Sequence, residues 1–128
     1  MPISTPRRFA VVSLWADDPG AATHFYRDIV GLRLMTHDAH HSGHPHFDVG
    51  GTYLTILKGR PVSAQDAEPP HFPLVAFEVD DLDFFIERLQ AHHVELPWGV
   101  EEGTESRWIK LHDPAGNLVE IVQFKEHK

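Results

Sequence analysis

The chain of 128 residues contains no cysteine. Disulfides, a thiolate nucleophile and cysteine-based zinc sites are thereby excluded. It also lacks any apolar run approaching the roughly 18 residues of a membrane-spanning helix, so no membrane partner is expected. The opening MPISTPRRFA has no apolar h-region of a secretory signal, which predicts a cytoplasmic protein. Positive charge is scarce: 11 Lys and Arg stand against 19 Asp and Glu, for a formal net charge of −8. No basic stripe runs along any segment. A nucleic-acid partner is therefore not expected, because phosphate binding needs clustered Lys and Arg.

What is present is one domain's worth of ordinary globular sequence, 41% hydrophobic and 23% charged. Its most informative feature is an internal repeat. VVSLWADD, residues 11–18, is strand-like and ends in an acidic pair; LVAFEVDD, residues 74–81, has the same length, character and ending. A helix is predicted after each. Asp18 can cap the first, with Pro19 at its first position. Ala22, Phe25, Tyr26 and Ile29 then recur at helical spacing, and Gly31 is the stop. Asp80 or Asp81 can cap the second, where Leu82, Phe85, Ile86 and Leu89 form the stripe. His93 sits where the left-handed conformation is needed. Three strands should follow each helix, at 32–36, 46–49 and 52–57, and again at 94–98, 107–112 and 118–124. VGGTYLTIL and PAGNLVEIV repeat a glycine turn before a strand, at Gly51 and Gly116. The order is βαβββ twice: module one spans about 8–60, a Pro-rich connector 61–73, and module two about 74–125.

FYRDIVGL, VGGTYLTIL, FEVDDLDFFIERLQAHHV and DPAGNLVEIVQ resemble the vicinal oxygen chelate superfamily. This group includes glyoxalase I, fosfomycin-resistance proteins, extradiol dioxygenases and bleomycin-resistance proteins. The resemblance runs from about Phe9 to Phe124. It implies an α+β fold in which each module curls into a half-barrel of mixed sheet around a cavity. It also implies that modules pair within one chain or across a homodimer, and a homodimer is expected here. Fold alone does not choose among the group's chemistries.

Metal-dependent members hold one divalent ion on the first and last strand of each module. The resemblance transfers those positions to Val11, Thr55, Leu74 and Glu120. Valine and leucine have no donor atom, and one carboxylate with one hydroxyl holds a divalent ion poorly. A slip of one residue brings Ala10, Val12, Pro73 or Val75, which are equally inert. No resident cofactor is therefore expected, and a divalent metal bound in a non-standard way is the alternative.

HDAHHSGHPHF, residues 37–47, holds five of the chain's 11 histidines. Ser42, Gly43 and Pro45 mark it as a solvated hairpin turn. The competing reading is an adventitious or regulatory metal site using Asp38, His40 and His44. His46, which opens a strand, is a candidate for the cavity. His71 and His112 lie near the other module's end of it, and a histidine can act as an acid or base near neutral pH.

Strand alternation proposes the lining. Ser13 and Trp15 share a face with Val11, and Tyr53 and Leu57 share one with Thr55. Ala76 and Glu78 go with Leu74, and Leu118 and Val122 with Glu120. Trp98 and Arg107 are candidates for the rim. The candidate ligand-binding residues are thus Ser13, Trp15, His46, Tyr53, Thr55, Leu74, Glu78 and Arg107. Glu120, a carboxylate in apolar surroundings, is the candidate catalytic acid or base, with Glu78 as a second carboxylate able to split the pair's pKa values.

Three functions compete. The first is a metal-independent small-molecule-binding protein resembling the bleomycin-resistance branch, and it is favoured. The second is a glyoxalase- or dioxygenase-like enzyme with a non-standard metal site, using Glu120 and His46. The third is a metal-free isomerase or epimerase in which Glu120 moves a proton.

Overall fold

The computed structural model describes residues 6, 8–35, 44–60 and 74–125. The chain divides into two compact units, residues 1–60 and 61–128. Each is a βαβββ module with a four-stranded mixed sheet, the α+β arrangement expected.

In the first unit, strand β1 (Val11–Ala16) leads into helix α1 (Pro19–His24). The Asp18 carboxylate accepts from the Ala21 amide at 3.2 Å, so the cap forms as expected, with Pro19 just inside it. The helix then widens into a π-helical segment, Phe25–Val30, closed by Gly31 at φ 92°. The wider turn turns both adjacent apolar pairs inward: Phe25, Tyr26, Ile29 and Val30 are all buried. Strands β2 (Arg33–Leu34), β3 (His46–Val49) and β4 (Thr52–Lys58) complete the sheet in the order β1-β4-β3-β2. The β1–β4 pair is parallel and the others antiparallel. Gly50 and Gly51, at φ 60° and 92°, make the turn between β3 and β4.

The second unit repeats this plan. Strand β5 (Val75–Glu78) precedes helix α2 (Leu82–Ala91), capped by Asp81, whose carboxylate accepts from the Phe84 amide at 3.1 Å. His93 takes φ 63° after the helix, as its position predicts. Strands β6 (Glu101–Glu102), β7 (Ser106–His112) and β8 (Leu118–Phe124) follow, and the sheet order is β5-β8-β7-β6. One strand departs from expectation. Residues 94–98 form no strand, and β6 begins at Glu101 instead. Pro97 cannot donate to a ladder, and the Gly99 amide donates to the Leu96 carbonyl in a turn.

Each sheet has one face on its helix, α1 against β4 and α2 against β8. Leu54 and Ile56, and likewise Phe77, Ile109, Leu111, Val119 and Ile121, are buried there. Alternation then puts the intervening residues on the opposite face, where the candidate site lies.

Candidate functional site

On the open face of the first sheet, the register sets side chains in rows. Ser13 lies opposite Thr55, and Thr55 opposite His46. The row on one side is Val11–Tyr53–Asp48, and on the other side Trp15 stands opposite Leu57. A polar row is thus bounded by rows that each carry an aromatic ring. Trp15 is 48% exposed and Tyr53 40%, so neither is a core aromatic. The Trp15 ring lies over Gly59, where a Cβ would come within 2.6 Å of it. Tyr53 meets the His46 ring edge-on, with centroids 6.3 Å apart.

Two features of the polar row are chemically open. Thr55 is 6% exposed, yet its Oγ1 has no hydrogen-bond partner among the described residues. The Nδ1 of His46 lies 2.8 Å from the His44 carbonyl. A carbonyl only accepts, so Nδ1 carries the proton of the neutral ring and Nε2 is left as an acceptor.

In the second sheet Glu120 lies between Ala76 and Lys110. Burial pushes its carboxyl above the ordinary glutamate range; the Lys110 charge opposes that shift and the Glu101 charge adds to it. The second carboxylate acting on Glu120 is therefore Glu101. Glu78 lies two positions along β5, exposed, beside an open depression bordered by Asp80, Asp81, Phe84 and Phe85. Glu101 accepts from the Trp108 indole at 3.0 Å and sits 3.4 Å from the Lys110 ammonium. Trp98 stacks at a tilt on His112, 5.8 Å between centroids, and Lys110 lies 5.7 Å from the Trp98 ring centre. Trp98 and His112 thus belong to the face of Glu120.

Arg107 does not. It lies on the helix face of β7, where its guanidinium donates to Asp83 of α2 at 2.9 Å. Alternation from Lys110 requires this, since the two positions differ by an odd number. Leu74 immediately precedes β5 and is 39% exposed. His71, the connector and most of the histidine-rich turn, including Asp38 and His40, lie outside the described residues. Lys110 and Glu101 went unnoticed in the sequence, although a signal existed. Counting outward from the turn at residues 113–117, His112 meets Leu118 and Lys110 meets Glu120.

The donor positions that the resemblance assigns to a metal are Val11, Thr55, Leu74 and Glu120. Two of these side chains have no lone pair to offer, and the third is a hydroxyl. This set does not fit a divalent ion. Among the described residues no three His, Asp or Glu side chains are grouped to hold one.

A family model described as the Glyoxalase/Bleomycin resistance protein/Dioxygenase superfamily matches residues 8–121. The chain belongs to that superfamily. It is 26% identical over 119 residues to uncharacterized protein YaeR of Escherichia coli (strain K12), covering 88% of this chain and 92% of that protein. Among solved structures it is similar to lactoylglutathione lyase from Agrobacterium tumefaciens, with 25% identity and a TM-score of 0.70 over 93% of this chain and 95% of the other. It also shares its fold with TnmS3, an antibiotic binding protein from Streptomyces sp. CB03234, at 22% identity and a TM-score of 0.74 over 94% and 98% of the two chains. No described helix is long and apolar enough to cross a membrane.

Proposed function

We propose that this chain is a small-molecule-binding protein of the superfamily that works without the family's metal ion, in the manner of its ligand-sequestering members. The carrying observation is the make-up of the open sheet faces. Trp15, Tyr53, Val11, Leu74 and Trp98 are left exposed there, interleaved with a few polar groups. Aromatic walls with sparse, placed polar atoms are what small organic ligands bind. The superfamily spans a lyase and an antibiotic binding protein on one fold, so the side chains and not the fold must decide. The donor set at Val11, Thr55, Leu74 and Glu120 favours binding without an ion. A homodimer is the form expected to present these faces, and sedimentation measures it.

The test is a thermal-shift screen of planar aromatic compounds in the presence of EDTA. A ligand that binds only the folded chain raises its melting temperature. Replacing Trp15 and Tyr53 together by alanine should abolish the rise. A rise seen only when a divalent metal is added contradicts the reading.

A second reading has one specific observation behind it: Glu120, held above its ordinary pKa by burial, stands beside the Lys110 ammonium. That combination suits a general acid or base of a metal-free isomerase or epimerase. Turnover whose pH–rate profile shifts in Glu120→Gln supports it; turnover unchanged in that variant removes it.

A further inference from the structure

The first sheet carries a buried hydroxyl without a partner, flanked in register by a second hydroxyl and by an imidazole whose proton is already committed. Burying a hydroxyl unpaired is unfavourable, so a group retained that way is a group waiting for a partner. We propose that Ser13, Thr55 and His46 form a subsite for a hydroxyl group on a planar aromatic ligand. This deepens the small-molecule reading above and rests on it.

The complementarity is specific. With Nδ1 donating to the His44 carbonyl, the neutral His46 ring offers Nε2 as an acceptor. The hydroxyls of Ser13 and Thr55 can each donate. A ligand O–H is the group that does both jobs at once: it donates to Nε2 and accepts from a hydroxyl. A carbonyl or ether oxygen leaves Nε2 unanswered, and an ammonium leaves the hydroxyl hydrogens unanswered. The apolar part of the ligand is set by the neighbouring rows. Successive same-face positions on a strand are about 7 Å apart, so a fused two-ring aromatic anchored on the polar row reaches Tyr53 or Trp15. Both rings are exposed on that face. None of this involves Glu120 or a metal ion.

The experiment uses a matched pair, 2-naphthol and 2-methoxynaphthalene, titrated calorimetrically into the full chain at neutral pH. The two share the same ring system, and only the first can donate. Loss of one such hydrogen bond to a buried site corresponds to about a tenfold loss of affinity. We expect 2-naphthol to bind about tenfold more tightly than its methyl ether. His46→Phe removes the acceptor that only 2-naphthol can use, so it should bring 2-naphthol down to the affinity of the ether. Thr55→Val removes a donor that either ligand oxygen can use, so it should weaken both probes and keep the preference. Thermal melting checks that both variants fold.

Equal binding of the two probes to the native chain overturns the hydroxyl subsite while leaving the small-molecule reading standing. A preference for 2-naphthol that survives in His46→Phe, or binding of both probes unweakened in Thr55→Val, also overturns it, by placing the hydroxyl elsewhere. Binding of neither probe overturns the subsite, and the wider reading then falls only if the aromatic screen fails as well.

Discussion

Replacing Thr55 by valine should stabilise the ligand-free protein. The two side chains have nearly the same shape, and the change exchanges a hydroxyl for a methyl. Thr55 is 6% exposed in the middle of β4, and its Oγ1 meets no partner among the described residues. Leaving a buried hydroxyl unpaired costs about 1–3 kcal/mol, and burying one methyl instead is worth up to about 0.8 kcal/mol. Strand propensity hardly changes, since both residues are β-branched. Taking the low end for relaxation of the neighbours, Thr55→Val should gain about 1–2 kcal/mol. For a chain of this size that raises the melting temperature by about 3–7 °C. Urea denaturation of both proteins measures the difference directly, provided the m-values agree. A variant less stable than the native chain would mean that the hydroxyl is satisfied, and the reasoning about its open valence would fail. A residue that weakens the empty fold yet is needed for a ligand is a common arrangement at binding sites.

The other predictions probe the neighbouring elements. Asp113 is 4% exposed and accepts from the amides of Ala115 and Asn117 and from the Asn117 side chain at 2.8–3.0 Å, so Asp113→Ala should cost about 2–4 kcal/mol in chemical denaturation. Because burial raises the folded pKa of Glu120, the folded chain holds that proton more tightly than the unfolded one, and stability falls as pH rises through the interval. Glu120→Gln removes this slope, so its melting temperature should gain on the native protein as pH rises through and above the ordinary glutamate range, and a constant difference would show no shift. Arg107→Ala breaks a pair with Asp83 on the helix face, away from the open face, so ligand affinity by calorimetry should be unchanged. Gly59→Ala would push a Cβ to within 2.6 Å of the Trp15 ring, so tryptophan fluorescence and aromatic-ligand affinity should both change.

Much of the fold was legible because local chemistry and periodicity agreed. Asp18 and Asp81 cap the helices where an acid precedes an apolar stripe, and His93 turns where the second helix must stop. The repeat displayed both modules. Two local features were hidden. Apolar residues at 25, 26, 29 and 30 suit a helix of ordinary pitch as well as the π-helical turn that forms. Residues 94–98 carry apolar side chains but also Pro97, and the ladder forms later, at Glu101. The site was legible to the extent that alternation along one strand suffices. Ser13, Trp15, Tyr53, Thr55 and His46 fall on a single face. Register between strands is a relation that alternation does not contain. That is why Arg107, a candidate for the rim, pairs instead with Asp83 on the helix face, and why Lys110 does not stand out in the sequence although it lies directly opposite Glu120. The pairing of Thr55 with Ser13 and His46 is likewise a product of register.

The most direct test of a metal-free binding face is one titration performed twice. The full chain is dialysed against EDTA and titrated with 2-naphthol in a calorimeter; the titration is then repeated after adding Mn²⁺ or Zn²⁺ in excess. A metal-free face gives the same affinity in both, lost when Trp15 and Tyr53 are both replaced by alanine. Binding that appears only with the metal, and disappears in Glu120→Ala, would contradict it.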